Sequence, residues 1–140
     1  MRTVVVAIIE RADRRILIGQ RRKTDTSPLK WEFPGGKLEQ GESPEAALAR
    51  ELQEELGITL TKCIEIGRVQ HKYADRDEFL EIRFFAVALK NYEVQAVTFE
   101  QIAWVLPREL GKYDFLAANK QVIARLATGQ IKPAEVLEKA

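Results

Sequence analysis

Hydrophobic positions divide the chain into segments of distinct period. Thr3–Ile9 is a nearly unbroken β-branched and apolar run and reads as a buried strand. Ala12–Arg15 is a polar turn, and Ile16–Gly19 reads as the hairpin partner of the first strand. Thr24–Leu29, with a Ser-Pro step and small polar residues, reads as a loop. Trp31–Phe33 is a short extended piece, ended by a turn at Pro34-Gly35-Gly36. The period then changes: Leu48, Leu52 and Leu56 recur every four residues, which gives a helix one buried stripe. Its start is marked by Ser43 as N-cap, Pro44 at the first helical position and Glu45 in the first turn. Gly57 caps its end, and Ile58 and Thr59 resume extended chain.

The second half is mostly strand. Cys63–His71 and Phe79–Leu89 flank a polar turn at Ala74–Glu78. Leu80, Ile82 and Phe84 alternate with Glu81 and Arg83, the pattern of a half-exposed strand. Ile102–Leu106 is a further strand. Lys120–Ala127 places Val122, Ile123 and Leu126 at helical spacing before Gly129, and Pro133–Ala140 has room for one or two more helical turns. The order β-β-helix-β-β-β-helix predicts an α/β (α+β) fold: a mixed sheet with helices packed on it, in one domain spanning residues 1–140.

Composition narrows the function. The chain has 140 residues, 46% of them hydrophobic, enough for one core. It balances 22 Lys+Arg against 21 Asp+Glu, a formal net charge of +1. That balance argues against wrapping a nucleic-acid polymer or binding a membrane through a polybasic patch. The longest apolar runs, Val4–Ile9 and Phe84–Leu89, are far too short to span a bilayer, and the first lacks the features of a signal peptide. A lone Cys63 makes no internal disulfide and anchors no zinc site, so a reducing cytoplasm is the expected location. The single His71 reads as a solvated strand residue. Monomer and homodimer both stay open.

The totals conceal an uneven distribution. Residues 11–37 carry eight basic residues (Arg11, Arg14, Arg15, Arg21, Arg22, Lys23, Lys30, Lys37) against three acidic ones. Residues 39–55 carry six glutamates (Glu39, Glu42, Glu45, Glu51, Glu54, Glu55) and one arginine, Arg50. On a helix, Glu51, Glu54 and Glu55 stand at i, i+3 and i+4 and share one patch. Like charges so placed cost about 0.2–0.5 kcal/mol per pair. A sequence that accepts this repulsion points to a bound cation, and oxygen donors select a hard divalent ion, Mg²⁺ or Mn²⁺.

The surroundings carry more. Gly36, five residues, Glu42, seven residues, then Arg50-Glu51-Leu52-Gln53-Glu54-Glu55-Leu56-Gly57-Ile58 meets all nine restricted positions of the signature over residues 36–58 that marks the Nudix hydrolases. At ordinary residue frequencies a chance match is on the order of one in 10⁹ per starting position. By this signature the chain resembles that family. The resemblance implies a mixed sheet sandwiched between helices (α-β-α), a loop-helix-loop that presents the metal, and hydrolysis of a nucleoside diphosphate linkage. It implies Glu51, Glu54 and Glu55 as metal-binding carboxylates, with a backbone carbonyl at Gly35 or Gly36 as a further ligand. Glu51 and Glu54 share the candidacy for orienting or deprotonating water, Arg50 restrains the glutamates, and Glu42 buttresses the loop. The chemistry is coherent: pyrophosphate cleavage needs charge neutralised about the bridging oxygen, which divalent metals supply. The glycine pair lets backbone approach the metal and phosphates. Arg21, Arg22 and Lys37 offer donors to phosphate oxygens.

Over residues 3 to about 127 the chain is similar to the MutT-type branch of the family, which acts on 8-oxo-dGTP. Glu32-Phe33-Pro34-Gly35-Gly36-Lys37 matches that branch, Arg21 stands at the matching distance before it, and Trp104 keeps its spacing to Asp114-Phe115-Leu116-Ala117-Ala118-Asn119. The resemblance implies that Asn119 reads the base, that Phe33 packs near it, that Arg21 touches sugar or phosphate, and that Arg76 in the long hairpin contacts substrate. The segment from Glu32 through Lys37, Pro34 included, would line the substrate site. The expected substrate is therefore a small nucleoside triphosphate, released as monophosphate and pyrophosphate. One position departs. Thr98 stands where the branch carries an additional metal-site glutamate; Glu100, two residues on, would face the same way in a regular strand, and a bulge, a shift or a longer loop would let it substitute. A pyrimidine nucleotide such as CTP is the second substrate reading, and ADP-ribose or dinucleoside polyphosphates the third; a non-catalytic nucleotide-binding module is the alternative outside enzymes, and intact glutamates throughout the signature weigh against it.

Overall fold

A computed structural model gives the structure of the chain and describes residues 2–72 and 78–140. Residues 74–77 of the expected hairpin turn, and with them Arg76, lie outside the described residues. Strands β1 (Arg2–Ile9), β4 (Gly35–Lys37), β5 (Leu60–Lys72) and β6 (Phe79–Leu89) form one sheet in the order β4-β1-β6-β5. β1 runs parallel to β6, and the other pairings are antiparallel. Strands β2 (Ile16–Gln20), β3 (Trp31–Glu32) and β7 (Gln101–Val105) form a second, antiparallel sheet in the order β3-β2-β7. Helices α1 (Pro44–Leu56), α2 (Lys120–Ala127) and α3 (Pro133–Glu138) complete the mixed α+β fold, with 3₁₀ turns at Pro107–Lys112 and Ala117–Asn119. No helix among the described residues is long and apolar enough to cross a membrane.

The first apolar run explains the layering. Val5, Ala7 and Ile9 of β1 point into one core with Leu48, Leu52 and Leu56 of α1. Val6 and Ile8 point into a second core with Val122 and Leu126 of α2. β6 divides its side chains the same way: Phe85, Val87 and Leu89 go to the α1 face, Ile82 and Phe84 to the α2 face. An apolar strand without polar alternation is what a sheet covered on both faces requires.

Helix α1 has the ends that its sequence calls for. Ser43 Oγ accepts a hydrogen bond from the Ala46 amide at 3.1 Å, and Pro44 opens the helix. Gly57 takes the left-handed conformation (φ 66°) and donates its amide to the Gln53 carbonyl at 3.0 Å. The final segment also folds as expected: α3 is held by the Glu10 carboxylate, which accepts from the Ala134 amide at 3.1 Å.

Two local expectations fail for identifiable reasons. Ile16–Gln20 is not the hairpin partner of β1. The chain does make a tight reversal, with the Arg11 amide on the Arg15 carbonyl at 2.8 Å, but only one bridge, Glu10 to Ile16, follows it. Both edges of β1 are taken, by β6 and by β4, so β2 crosses to the second sheet and pairs with β3 and β7. Gly35-Gly36 is likewise not a turn. The chain bends at Pro34, and the glycines form β4, Gly36 opposite Val5 and Gly35 opposite Val6. A Cβ at Gly35 would overlap the Val5 carbonyl, so the pair serves close strand approach instead of reversal.

The stripe on α1 is the main attachment of that helix to the sheet. Leu52→Ala is expected to cost about 2–5 kcal/mol, because Leu52 is fully buried and leaves a cavity. Gln53→Ala, exposed on the same helix, is expected to stay within about 0.5 kcal/mol. Urea unfolding of the two variants checks the contrast.

Candidate active site

The carboxyl-bearing face of α1, the strand β4 and the start of β1 enclose a cavity of about 470 Å³. Glu51, Glu54 and Glu55 line one side together with Gly35, Gly36 and Lys37. Arg21, Glu32 and Phe33 line the wall that comes from β2, β3 and their connections, and Asn119 lies at the opening of α2. Val4, Val6, Leu80 and Ile82 supply an apolar floor. The cavity is thus acidic where α1 meets β4 and apolar where the sheet is exposed.

Arg50 organises the acidic end from behind. Its Nε donates to Glu42 Oε2 at 2.7 Å and its Nη2 to Glu42 Oε1 at 3.0 Å, a bidentate pair. Nη1 donates to Glu51 Oε1 at 2.9 Å and Nη2 to the Lys37 carbonyl at 3.1 Å. Glu39 and Glu54 carboxylates stand 3.7 and 3.6 Å away. Glu42 in turn accepts the Glu39 amide at 3.0 Å, which is the buttress expected of it. Hydrogen bonding to Arg50 first, and to that amide second, holds the Glu42 carboxyl below its ordinary pKa. Arg50 itself does not line the cavity.

The three helix glutamates differ in environment. Glu54 is the most open, its side chain 58% exposed. Glu51 lies flat against β4, where a Cβ at Gly36 would overlap its carboxyl group. Burial pushes its pKa up, and Arg50 only partly opposes that. Glu55 accepts the Gly35 amide at 2.9 Å. Burial, joined by the charges of Glu32, Glu51 and Glu54, raises its pKa to about 8 despite that hydrogen bond.

Oxygen donors of this kind suit a hard divalent cation, and the raised Glu55 and Glu51 pKa values reflect burial first and neighbouring carboxylate charge second, both of which a bound cation would offset. The residues fit such an ion in kind. Among the described residues, no three His, Cys, Asp or Glu side chains stand close enough to hold it as they are arranged here.

Other expected residues sort themselves plainly. Arg21 is occupied: Nη1 pairs with Glu32 at 2.8 Å, Nε binds the Thr26 carbonyl at 2.7 Å and Nη2 the Thr26 hydroxyl at 3.0 Å. Glu32 is buried enough that its pKa rises even against Arg21. Arg22 is turned to the Val97 carbonyl at 2.9 Å. Lys37 has no ionic partner among the described residues, which makes it the one lining cation with an uncommitted head group. Phe33 is buried, packing its ring on Phe115 at 5.2 Å while contributing to the wall. Pro34 does not line the cavity; its carbonyl accepts the Ala7 amide at 2.8 Å. Asn119 is buried and its side chain makes no capping hydrogen bond on α2, so helix capping does not explain it.

Glu100 stands outside the cavity. Residues 97–100 bend, and β7 begins only at Gln101, so the regular strand that would align Glu100 with Thr98 is absent. Thr98 lines the cavity and Glu100, exposed, does not. The motif also gave no hint of Asp25, a lining carboxylate from the 24–29 loop that accepts the Arg22 amide at 2.9 Å. Nor did it point to Phe99, whose ring sits over Gly19.

Comparison with known proteins identifies relatives of the chain as a whole. The family model described as the NUDIX domain matches residues 1–126. The 8-oxo-dGTP diphosphatase of Escherichia coli is 35% identical over 123 residues, covering 88% of this chain and 94% of that protein. The CTP pyrophosphohydrolase of the same organism is 35% identical over 133 residues, 94% of this chain and 96% of that protein. A solved MutT structure, from work on Aliivibrio salmonicida and Vibrio cholerae, superposes with a TM-score of 0.78 at 34% identity, covering 91% of this chain and 98% of that one.

The Glu55 environment has a consequence for stability. Unfolded, its carboxyl titrates near 4.5; folded and without metal, at about 8. The folded state therefore binds the extra proton in that window, and stability present below it is lost as pH rises through about 8. Unfolding in EDTA from about pH 5 to about pH 9 is expected to show this decline, and Glu55→Gln is expected to flatten it. Equal slopes in both proteins would remove the buried carboxyl as its source.

Proposed function

The chain belongs to the Nudix hydrolase family, and from that premise we propose that it is an Mg²⁺-dependent nucleoside triphosphate pyrophosphohydrolase of MutT type, acting on 8-oxo-dGTP. One observation carries the reading. The glutamates of α1, backed by Arg50, share a single cavity with a buried Asn119 that caps nothing. A polyphosphate needs the first end and a purine edge needs the second.

The side chains divide the work. Glu51, Glu54 and Glu55, with a carbonyl of Gly35 or Gly36, would hold Mg²⁺, with Mn²⁺ as the natural substitute; when bound, the ion neutralises phosphate charge. Arg50 keeps Glu51 in place and limits repulsion along α1. Glu51 and Glu54 are the groups able to orient water and take its proton. Glu54, the more exposed, returns that proton to solvent more easily. Lys37 offers its free ammonium to a phosphate oxygen. Arg21, already bound to Glu32 and Thr26, serves by fixing the loop wall beside the substrate. Water attack at the β-phosphorus would release a nucleoside monophosphate and pyrophosphate, a reaction that clears an oxidised nucleotide from the pool in the cytoplasm.

Asn119 has a donor and an acceptor for a base edge. The apolar floor and Phe33 suit the flat face of a base. CTP is the second reading, because the CTP pyrophosphohydrolase relative is as similar as the 8-oxo-dGTP diphosphatase. Turnover of 8-oxo-dGTP, dGTP, CTP and dCTP with Mg²⁺, compared as kcat/KM, tests the choice. A preference for CTP or dCTP overturns the purine reading. Nucleotide binding with no pyrophosphate release from any of the four overturns the catalytic one.

Two variants probe the parts separately. Glu54→Gln is expected to lower kcat by about 10²-fold or more with little change in melting temperature, because the carboxylate serves the reaction and not the core. Asn119→Ala is expected to erode the preference for 8-oxo-dGTP over dGTP more than it lowers kcat; equal loss on both substrates counts against base reading by Asn119.

A further inference from the structure

A second cavity of about 470 Å³ lies away from the one just described and shares none of its lining residues. It sits between β5, the end of α2 and α3. Arg125, Lys132 and Lys139 supply its charge, and Ile66, Ile131 and Val136 its apolar wall. Two carboxylates also line it, Glu65 and Glu135. Glu65 is already saturated: Arg68 and Arg83 each donate to both of its oxygens. Glu135 reaches Lys132 only at 3.9 Å. Arg125 and Lys139 have no ionic partner among the described residues.

Arg125 is the decisive side chain. Its Nε is buried and has no hydrogen-bond acceptor, the one buried side-chain polar atom so found among the described residues. The strand makes room for it. β5 is irregular between Glu65 and Gly67, and a Cβ at Gly67 would lie 3.3 Å from Arg125 Nη1. A buried donor on a charged group left unsatisfied is costly, and such groups are rare in folded proteins. A guanidinium is a planar fork suited to an oxyanion, and lysines add point charges around it. A single carboxylate would satisfy Arg125 alone. Three cations facing one weakly engaged carboxylate call for a multiply charged anion.

We propose that this cavity binds a phosphate-type oxyanion, held by Arg125 with Lys132 and Lys139, separately from the catalytic cavity. The proposal stands on these residues and not on the substrate reading above.

The test is an amide-resolved NMR titration of the full chain, without divalent metal, using inorganic pyrophosphate as the probe and sodium chloride at matched ionic strength as the control. A parallel titration with a nucleoside diphosphate distinguishes a free anion from the phosphate tail of a nucleotide; saturation by either probe at this cavity supports the site. The expected result is saturable shifts at Gly129–Lys132. Arg125→Met keeps the apolar stem and is expected to weaken the affinity about tenfold. Lys139→Gln, on the exposed last turn, carries little folding risk and is expected to weaken it about threefold. Lys37→Gln, in the other cavity, is expected to leave it unchanged. Shifts reproduced by sodium chloride, shifts centred on Gly35–Lys37, or an affinity unchanged in both Arg125→Met and Lys139→Gln would overturn the proposal.

Discussion

One guanidinium makes the acidic helix possible. Arg50 joins Glu42 from the loop, Glu51 from its own helix and the Lys37 carbonyl from β4. These are the three pieces that must meet if carboxylates are to face the cavity. Glu39, Glu42, Glu51 and Glu54 all lie within 3.7 Å of it. Without that charge the same groups would repel one another across a low-dielectric boundary. Charge-assisted hydrogen bonds each contribute about 1.5–3 kcal/mol, and Arg50 makes several with limited exposure to water. Its hydrogen bond to Glu51 Oε1 also helps hold that carboxyl against β4.

The glycine strand is the matching constraint on the other side. Gly36 gives the Glu51 carboxyl a surface without a side chain, and Gly35 brings β4 close to β1 while offering its amide to Glu55. The same helix must bury Leu48, Leu52 and Leu56 in the core. Packing and chemistry thus occupy adjacent faces of α1, and the sheet fixes both at once. β1 has a parallel double duty: Val6 belongs to a core, yet Val4 and Val6 also floor the cavity.

Much of this was readable from residue spacing. Caps and a four-residue leucine repeat are local signals, so α1 was predicted to the residue at its start. The α-β-α layering was implied by the resemblance that the signature carries; of its residues Gly36, Glu51, Glu54 and Glu55 line one cavity, while Glu42 and Arg50 stand behind it. What spacing could not carry was competition. Whether Ile16–Gln20 pairs with β1 depends on who else holds the edges of β1, and those partners, β4 and β6, are decided far along the chain. Pro34-Gly35-Gly36 has turn composition, but its glycines answer a steric demand from Val5. Glu100 could not be placed by two-residue alternation, because residues 97–100 bend and leave it exposed outside the cavity. Asp25 had no pattern at all; a loop becomes a wall only through its long-range contacts.

The net charge of +1 invites a simple picture in which glutamates take the metal and the neighbouring basic block takes the phosphates. The geometry assigns the arginines of that block, and Arg50 from the acidic stretch, differently. Arg21 spends its donors on Glu32 and Thr26, Arg22 reaches Val97, and Arg50 stays behind the carboxylates. Three arginines therefore act as struts, a role that suits a planar group with several donors in fixed directions. The uncommitted charge on the cavity wall is Lys37, a flexible point charge able to follow a phosphate. Rigid cations build the cavity and a mobile one serves the ligand, so the balanced total reflects internal pairing more than complementarity to substrate. The arginine that breaks this rule, Arg125, lies in the separate cavity between β5, α2 and α3 with its Nε buried and unpaired. Among the described residues the other buried guanidinium donors have acceptors, so that exception is the feature on which the proposed anion site rests.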